Sequence, residues 1–178
     1  VPAGKSIYPV EPEGTRLKTV TGERFVSYAP EAARALSGQV IVAVKPRTSS
    51  FGVALLGGLR HNKPVVLDID DWELSYRFGG VRHQTKQFTL EKMSRLASAI
   101  TVNNTYLQSR FGGTLLPSGR DGTLFDPSRF DTGKSRRALG LDNRFVLMFP
   151  GTAVPHSGLE DLLQAVERLE RADAVLVV

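Results

Sequence analysis

Short runs that are apolar at successive positions, each followed by a helical pattern, recur along this 178-residue chain and constrain its fold more than any other feature. They are residues 40–44 (VIVAV), 65–69 (VVLDI), 99–102 (AITV), 145–149 (FVLMF) and 174–178 (AVLVV). A strand that is apolar continuously rather than alternately is expected to be buried on both faces. Strands of that kind belong to parallel sheets covered by helices. The predicted class is therefore α/β.

The connecting segments supply the helices. After the polar break 45–50, Phe51, Val53, Leu55, Leu56 and Leu59 begin a helix for which Ser49 or Ser50 is the expected cap. Phe88, Leu90, Met93 and Leu96 predict a second helix over 86–98, and residues 105–111 a third, ended by a left-handed glycine at Gly112-Gly113. Leu115-Leu116 reads as a short fourth strand. Residues 1–20 and 117–137, rich in Gly, Pro and charge, read as loops, and 76–84 is polar and patternless, a place where two separately ordered pieces could join. Beyond the second loop, strand 145–149, loop 150–157, helix 158–171 and strand 174–178 make a βαβ unit.

Composition narrows the chemistry. The chain has no cysteine, which excludes disulfides, thiolate metal sites and cysteine nucleophiles together. No apolar run reaches the roughly 18–20 residues of a membrane-spanning helix, so the expectation is a cytoplasmic protein, with peripheral association at the inner membrane face as a further option. The net charge of +5 suits an anionic partner, yet the cations are scattered: Lys45 and Arg47 lie in one loop, and Lys134, Arg136 and Arg137 in another. No arginine–aromatic alternation marks a nucleic-acid surface, and no nucleic-acid partner is expected.

Two places carry candidate chemistry. Asp68, Asp70, Asp71 and Glu73, around Trp72, follow the second strand, where open α/β sheets bind ligands beyond the carboxyl ends of their strands. Asp68 and Asp70 could hold a divalent cation, as in single-Rossmann glycosyltransferases, or act as nucleophile and general acid, as in haloacid-dehalogenase-like phosphatases. Alternatively, the carboxylates accept sugar hydroxyls or act as acid and base without metal. A purely structural role, capping the next helix or pairing with Arg77 or Arg82, is the competing interpretation. The second place is the strand-to-helix loop around Gly151, Thr152, His156, Ser157 and Gly158. Its glycines would let backbone N–H groups approach phosphate at a helix N-terminus.

Taken in order, these pieces resemble glycosyltransferase family 4. Residues 116–127 (LPSGRDGTLFDP) resemble the interdomain P-N-G-V-D-x-x-x-F-x-P signature, 137–141 (RALGL) the R-x-x-L-G-L element, and 149–165 the F-x-G-R-x-x-x-x-K-G-x-x-x-L-L-x-A element. Residues 99–111 (AITVNNTYLQSRF) resemble the segment before the linker. The resemblance implies a GT-B fold of two Rossmann-like domains with parallel sheets, both incomplete here. Residues 1–117 would be part of the acceptor domain, 118–141 the linker, and 142–178 the first βαβ unit of the donor domain.

The implied activity is retaining transfer of a hexose-like sugar from a nucleotide-sugar to a sugar, lipid-linked or other small acceptor, with no cofactor or metal. Asp70 occupies the register of the family's sugar-contacting histidine and is followed by Asp71, the two forming the catalytic candidates. Lys45, Arg47, Ser49 and Ser50 fall on the acceptor side. The arginine and lysine that hold the donor diphosphate are replaced by Thr152 and Ser157, which raises a non-catalytic scaffold with a decayed donor site as the alternative. The family's Glu-x7-Glu segment is expected beyond residue 178, and its first strand before Val1.

Overall fold

The computed structural model describes residues 20–75, 80–154 and 157–178, and these form two compact units, Val1–Gly119 and Arg120–Val178. In the first, helix α1 (Phe25–Ala35) precedes strand β1 (Ile41–Val44), α2 (Val53–His61), β2 (Val65–Ile69), α3 (Val81–Met93), β3 (Ala99–Val102), α4 (Thr105–Phe111) and β4 (Thr114–Leu115). The four strands are parallel and lie in the order β1-β2-β3-β4. β2 and β3 span the residues that their apolar runs predict, whereas β4 is shifted by one.

Strand order decides which face is covered. Right-handed crossovers between strands laid down one after another in the same direction place every connecting helix on the same side. Ile41, Ala43, Val65, Leu67, Ile69 and Val102 point to that side and form the core with Phe51, Ala54 and Leu107. The opposite face carries Val42 and Val44, which are 64% and 53% exposed. The expectation that the first strand is buried on both faces is thus corrected: it alternates buried and exposed. An all-apolar run reports what a strand tolerates on each side, not which side has a neighbour.

Helix boundaries differ where the cause is local. No serine caps the second helix; the chain enters α2 through a π-helical turn, Thr48–Gly52, that seats Phe51 in the core. α3 begins at Val81 rather than 86, because its first turns are exposed and carry no apolar period, and it passes into a 3-10 turn, Ser94–Leu96. The remainder of the patternless stretch, 76–79, lies outside the described residues, as does the join anticipated there. α4 is capped by the Asn104 side chain, which accepts from the Leu107 N–H at 2.9 Å. It ends at Gly112 with φ 72° but ψ −157°, so the glycine is required for its positive φ although the conformation is not left-handed helical.

The second unit is built around β5 (Phe145–Met148), α6 (Leu159–Glu167) and β6 (Ala174–Val177), with β5 and β6 parallel. Gly158, at φ 77°, is the N-cap of α6 rather than its first residue. The segment expected to be loop from 117 to 137 contains a 3-10 turn, Pro127–Arg129, and a helix, α5 (Thr132–Ala138), capped by Asp131. Asp121 and Asp126 fold the intervening loop by accepting hydrogen bonds from Thr123 and Ser128, which hold both carboxyls below their ordinary range. No described residue of the second unit is buried.

Close packing in the first unit depends on Gly57 and Gly58 of α2. A Cβ at Gly58 would lie 2.6 Å from Val65 Cγ2 and 3.1 Å from the Lys63 carbonyl oxygen. Alanine normally stabilises a helix interior by roughly 0.5–1 kcal/mol over glycine, but overpacking costs about 1–3 kcal/mol. Gly58→Ala is therefore expected to lower stability by about 1 kcal/mol in urea unfolding followed by circular dichroism, whereas the exposed Gly80→Ala, which meets no atom within 4 Å, should not.

Candidate functional site

β1 and β2 both end at the same edge of the sheet, and pairing Val44 with Asp68 brings the loops that follow them side by side. Lys45 sits at the turn of the first loop in a left-handed conformation, φ 67°. For a residue with a side chain this costs on the order of 1–2 kcal/mol, and it is offset locally by hydrogen bonds from the Lys45 N–H to the Asp68 carbonyl and from the Arg47 N–H to the Lys45 carbonyl, both 2.8 Å. The turn swings the lysine ammonium back over the acidic loop. Nζ lies 2.5 Å from Asp71 Oδ2, 3.3 Å from Asp70 Oδ1 and 3.4 Å from Glu73 Oε1.

Glu73 is the anchor. Its side chain is 8% exposed, and both its oxygens accept from Arg47, through Nε at 3.0 Å and Nη2 at 2.8 and 3.0 Å. A forked guanidinium–carboxylate pair of this kind fixes orientation as well as charge. Asp70 and Asp71 keep 39% and 40% of their side chains open, so they form the accessible part of the cluster. Burial alone would lower the Lys45 pKa, but the Asp71 hydrogen bond and the charges of both aspartates outweigh it and hold the ammonium above its ordinary value.

The two members of the Asp-x-Asp pair take different partners. Asp68 Oδ1 accepts from Thr101 Oγ1 of β3 at 2.5 Å, while Asp70 meets Lys45. The expected ion pairs with Arg77 or Arg82 are also corrected in part. The acidic cluster takes Lys45 and Arg47 instead, and Arg77 lies outside the described residues. Trp72, next in the chain to Asp71, packs with Tyr106 at 6.0 Å and carries the Arg110 guanidinium stacked 4.3 Å over its ring. Arg110 is positioned by the buried Glu91, whose other oxygen accepts from the Leu74 N–H. Trp72 Nε1 is buried with no hydrogen-bond partner among the described residues, whereas the buried Asp70 Oδ1 faces the Lys45 ammonium at 3.3 Å. Arg110 and Tyr106 were missed in the sequence because nothing in their spacing links them to Trp72.

Ser49 and Ser50 lie in the π-helical turn beside this edge. The other candidate loop belongs to the second unit. Its Thr152 carbonyl accepts from the Val154 N–H, and Ser157 turns inward, its hydroxyl donating to the Val154 carbonyl at 2.8 Å. Gly151 and Thr152 are exposed, His156 lies outside the described residues, and Gly158 opens α6. Glu160 and Asp161 occupy the first turn of that helix, and their charge opposes the attraction of its N-terminus for an anion. No protein-family model and no curated protein matches this chain.

Because the folded-state pKa of Lys45 is raised, the stability it confers is complete below lysine's ordinary value of 10.5 and is lost only as pH rises through the higher folded value. Lys45→Met should thus lower the melting temperature by a constant amount between about pH 6 and pH 9, and the gap from the parent protein should close only in strong alkali.

Proposed function

We propose that the chain is part of a GT-B-type, retaining glycosyltransferase of the family-4 kind, and that the Asp70–Asp71 edge is where the reacting sugars are held. The single observation that carries this reading is the cluster itself: two accessible carboxylates, paired with Lys45, at the carboxyl ends of parallel strands. Carboxylates accept sugar hydroxyls well. The in-register motifs from residue 99 to 165 supply the donor, a nucleotide-sugar, by resemblance.

In this reading Asp70 and Asp71 orient the sugar, with Lys45 and Arg47 as positioning residues that hold the carboxylates in place. Lys45 already supplies the positive charge between Asp70, Asp71 and Glu73, which disfavours a metal-dependent use of these aspartates. The donor half is the weaker part. Thr152 and Ser157 bring no charge to the diphosphate, and Glu160 and Asp161 bring the wrong sign. Those same residues favour the second reading, a non-catalytic sugar-binding scaffold.

Calorimetry with a panel of nucleotide-sugars, followed by transfer assays with saccharide acceptors and NMR of the product anomer, tests the proposal. Donor binding and a product of unchanged anomeric configuration are expected, with Asp70→Asn lowering the rate about a hundredfold; absence of binding by every nucleotide-sugar favours the scaffold instead. Restoring the missing cations in Thr152→Arg and Ser157→Lys should tighten donor binding about tenfold each, the size of a charge-assisted hydrogen bond. Unchanged affinity in both variants would place the diphosphate elsewhere.

A further inference from the structure

α3 buries three side chains, Gln87, Leu90 and Glu91, and two of the three are polar. Burying an amide and a carboxylate costs free energy that apolar residues of similar volume avoid. Packing of the helix therefore does not account for Gln87 and Glu91. Their partners do.

Those partners lie on the two loops of the acidic crevice. Gln87 Nε2 donates to the Pro46 carbonyl at 2.9 Å, and Pro46 is the residue between Lys45 and Arg47. Glu91 lies one helical turn further along the same face. Its Oε1 accepts from the Leu74 N–H at 3.2 Å, and Leu74 follows Glu73. Its Oε2 accepts from Arg110 of α4, the guanidinium that stacks on Trp72. One helix face thus grips the loop that brings the cations, the loop that brings the acids, and the arginine that packs on Trp72.

The ion pairs across the loops join side chains, and Lys45 and Arg47 reach their partners through several rotatable bonds, so the pairs can form over a range of backbone separations. The α3 contacts act on the backbone itself, where hydrogen bonds are directional. Pro46 is buried, so its carbonyl reaches another partner only if the loop moves. We propose that Gln87 and Glu91 are positioning residues for the crevice: they hold the cationic and acidic loops at the separation in which Asp70 and Asp71 stay open to a ligand. That the ligand is a sugar rests on the reading given above, whereas the brace does not.

Amide hydrogen exchange and fluorescence of the full chain test the brace without a ligand, since Trp72 is the sole tryptophan. Gln87→Met keeps the length of the side chain and removes its donor. Exchange at the Lys45 and Arg47 amides, relative to the core amides of β2, should rise about tenfold. Glu91→Gln leaves one acceptor oxygen for two donors, so Leu74 exchange should rise about tenfold or Trp72 emission should shift as Arg110 leaves the ring. Leu90→Ala, which removes core contacts from the same face, should lower the thermal melt and leave the relative loop exchange and the emission as in the parent. Affinity for a nucleotide-sugar should fall about fivefold in both polar variants and not in Leu90→Ala. Loop exchange and emission that stay unchanged in both polar variants, or that change equally in Leu90→Ala, overturn the proposal. So does unaltered affinity alongside faster loop exchange. A parent protein that binds no nucleotide-sugar overturns the sugar reading instead, and exchange and emission then decide the brace alone.

Discussion

The first unit is organised by one apolar layer, the side of the parallel sheet formed by Ile41, Ala43, Val65, Leu67, Ile69 and Val102, on which Phe51, Ala54 and Leu107 pack. Burial of this layer is the dominant favourable term available to the unit. It also aligns the strand ends. With β1 and β2 locked in register by their buried residues, Lys45 and Asp70 emerge at the same edge, and the polar cluster forms beyond the apolar layer without interrupting it.

That cluster has an internal order. Glu73 is buried and held on both oxygens by Arg47, so it behaves as a fixed post. Asp70 and Asp71 are half-exposed and share Lys45, so they retain capacity toward a ligand. The strained turn at Lys45 belongs to the same device, since the residue that holds φ 67° there is the one whose ammonium reaches the second loop. Trp72 is positioned from the other side through Arg110 and Glu91. Donors and acceptors on three connections thus converge on one strand-end crevice, the usual ligand-binding place of open α/β sheets.

Much of the fold was legible because the signals were local. The runs 65–69 and 99–102 correspond to β2 and β3, and the helix over 105–111 corresponds to α4, since apolar clustering and helical spacing depend on neighbours in the chain. The start of α3 was not legible, because Val81 and the polar residues after it bury nothing and so leave no period to detect. The helix α5 within the expected linker escaped for the same reason: none of its residues is buried.

The sequence by itself determined the α/β class and the position of the acidic loop after an apolar strand, since each depends on residue type and short-range spacing. Tertiary structure alone decided that Lys45 and Arg47 meet residues 26 positions away, that Asp68 turns to Thr101, and that the first strand is buried on one side and exposed on the other. The physical reason is common to all three. Ion-pair partners and covered faces follow from strand order and register, and a parallel sheet sets these through crossovers that no local pattern encodes.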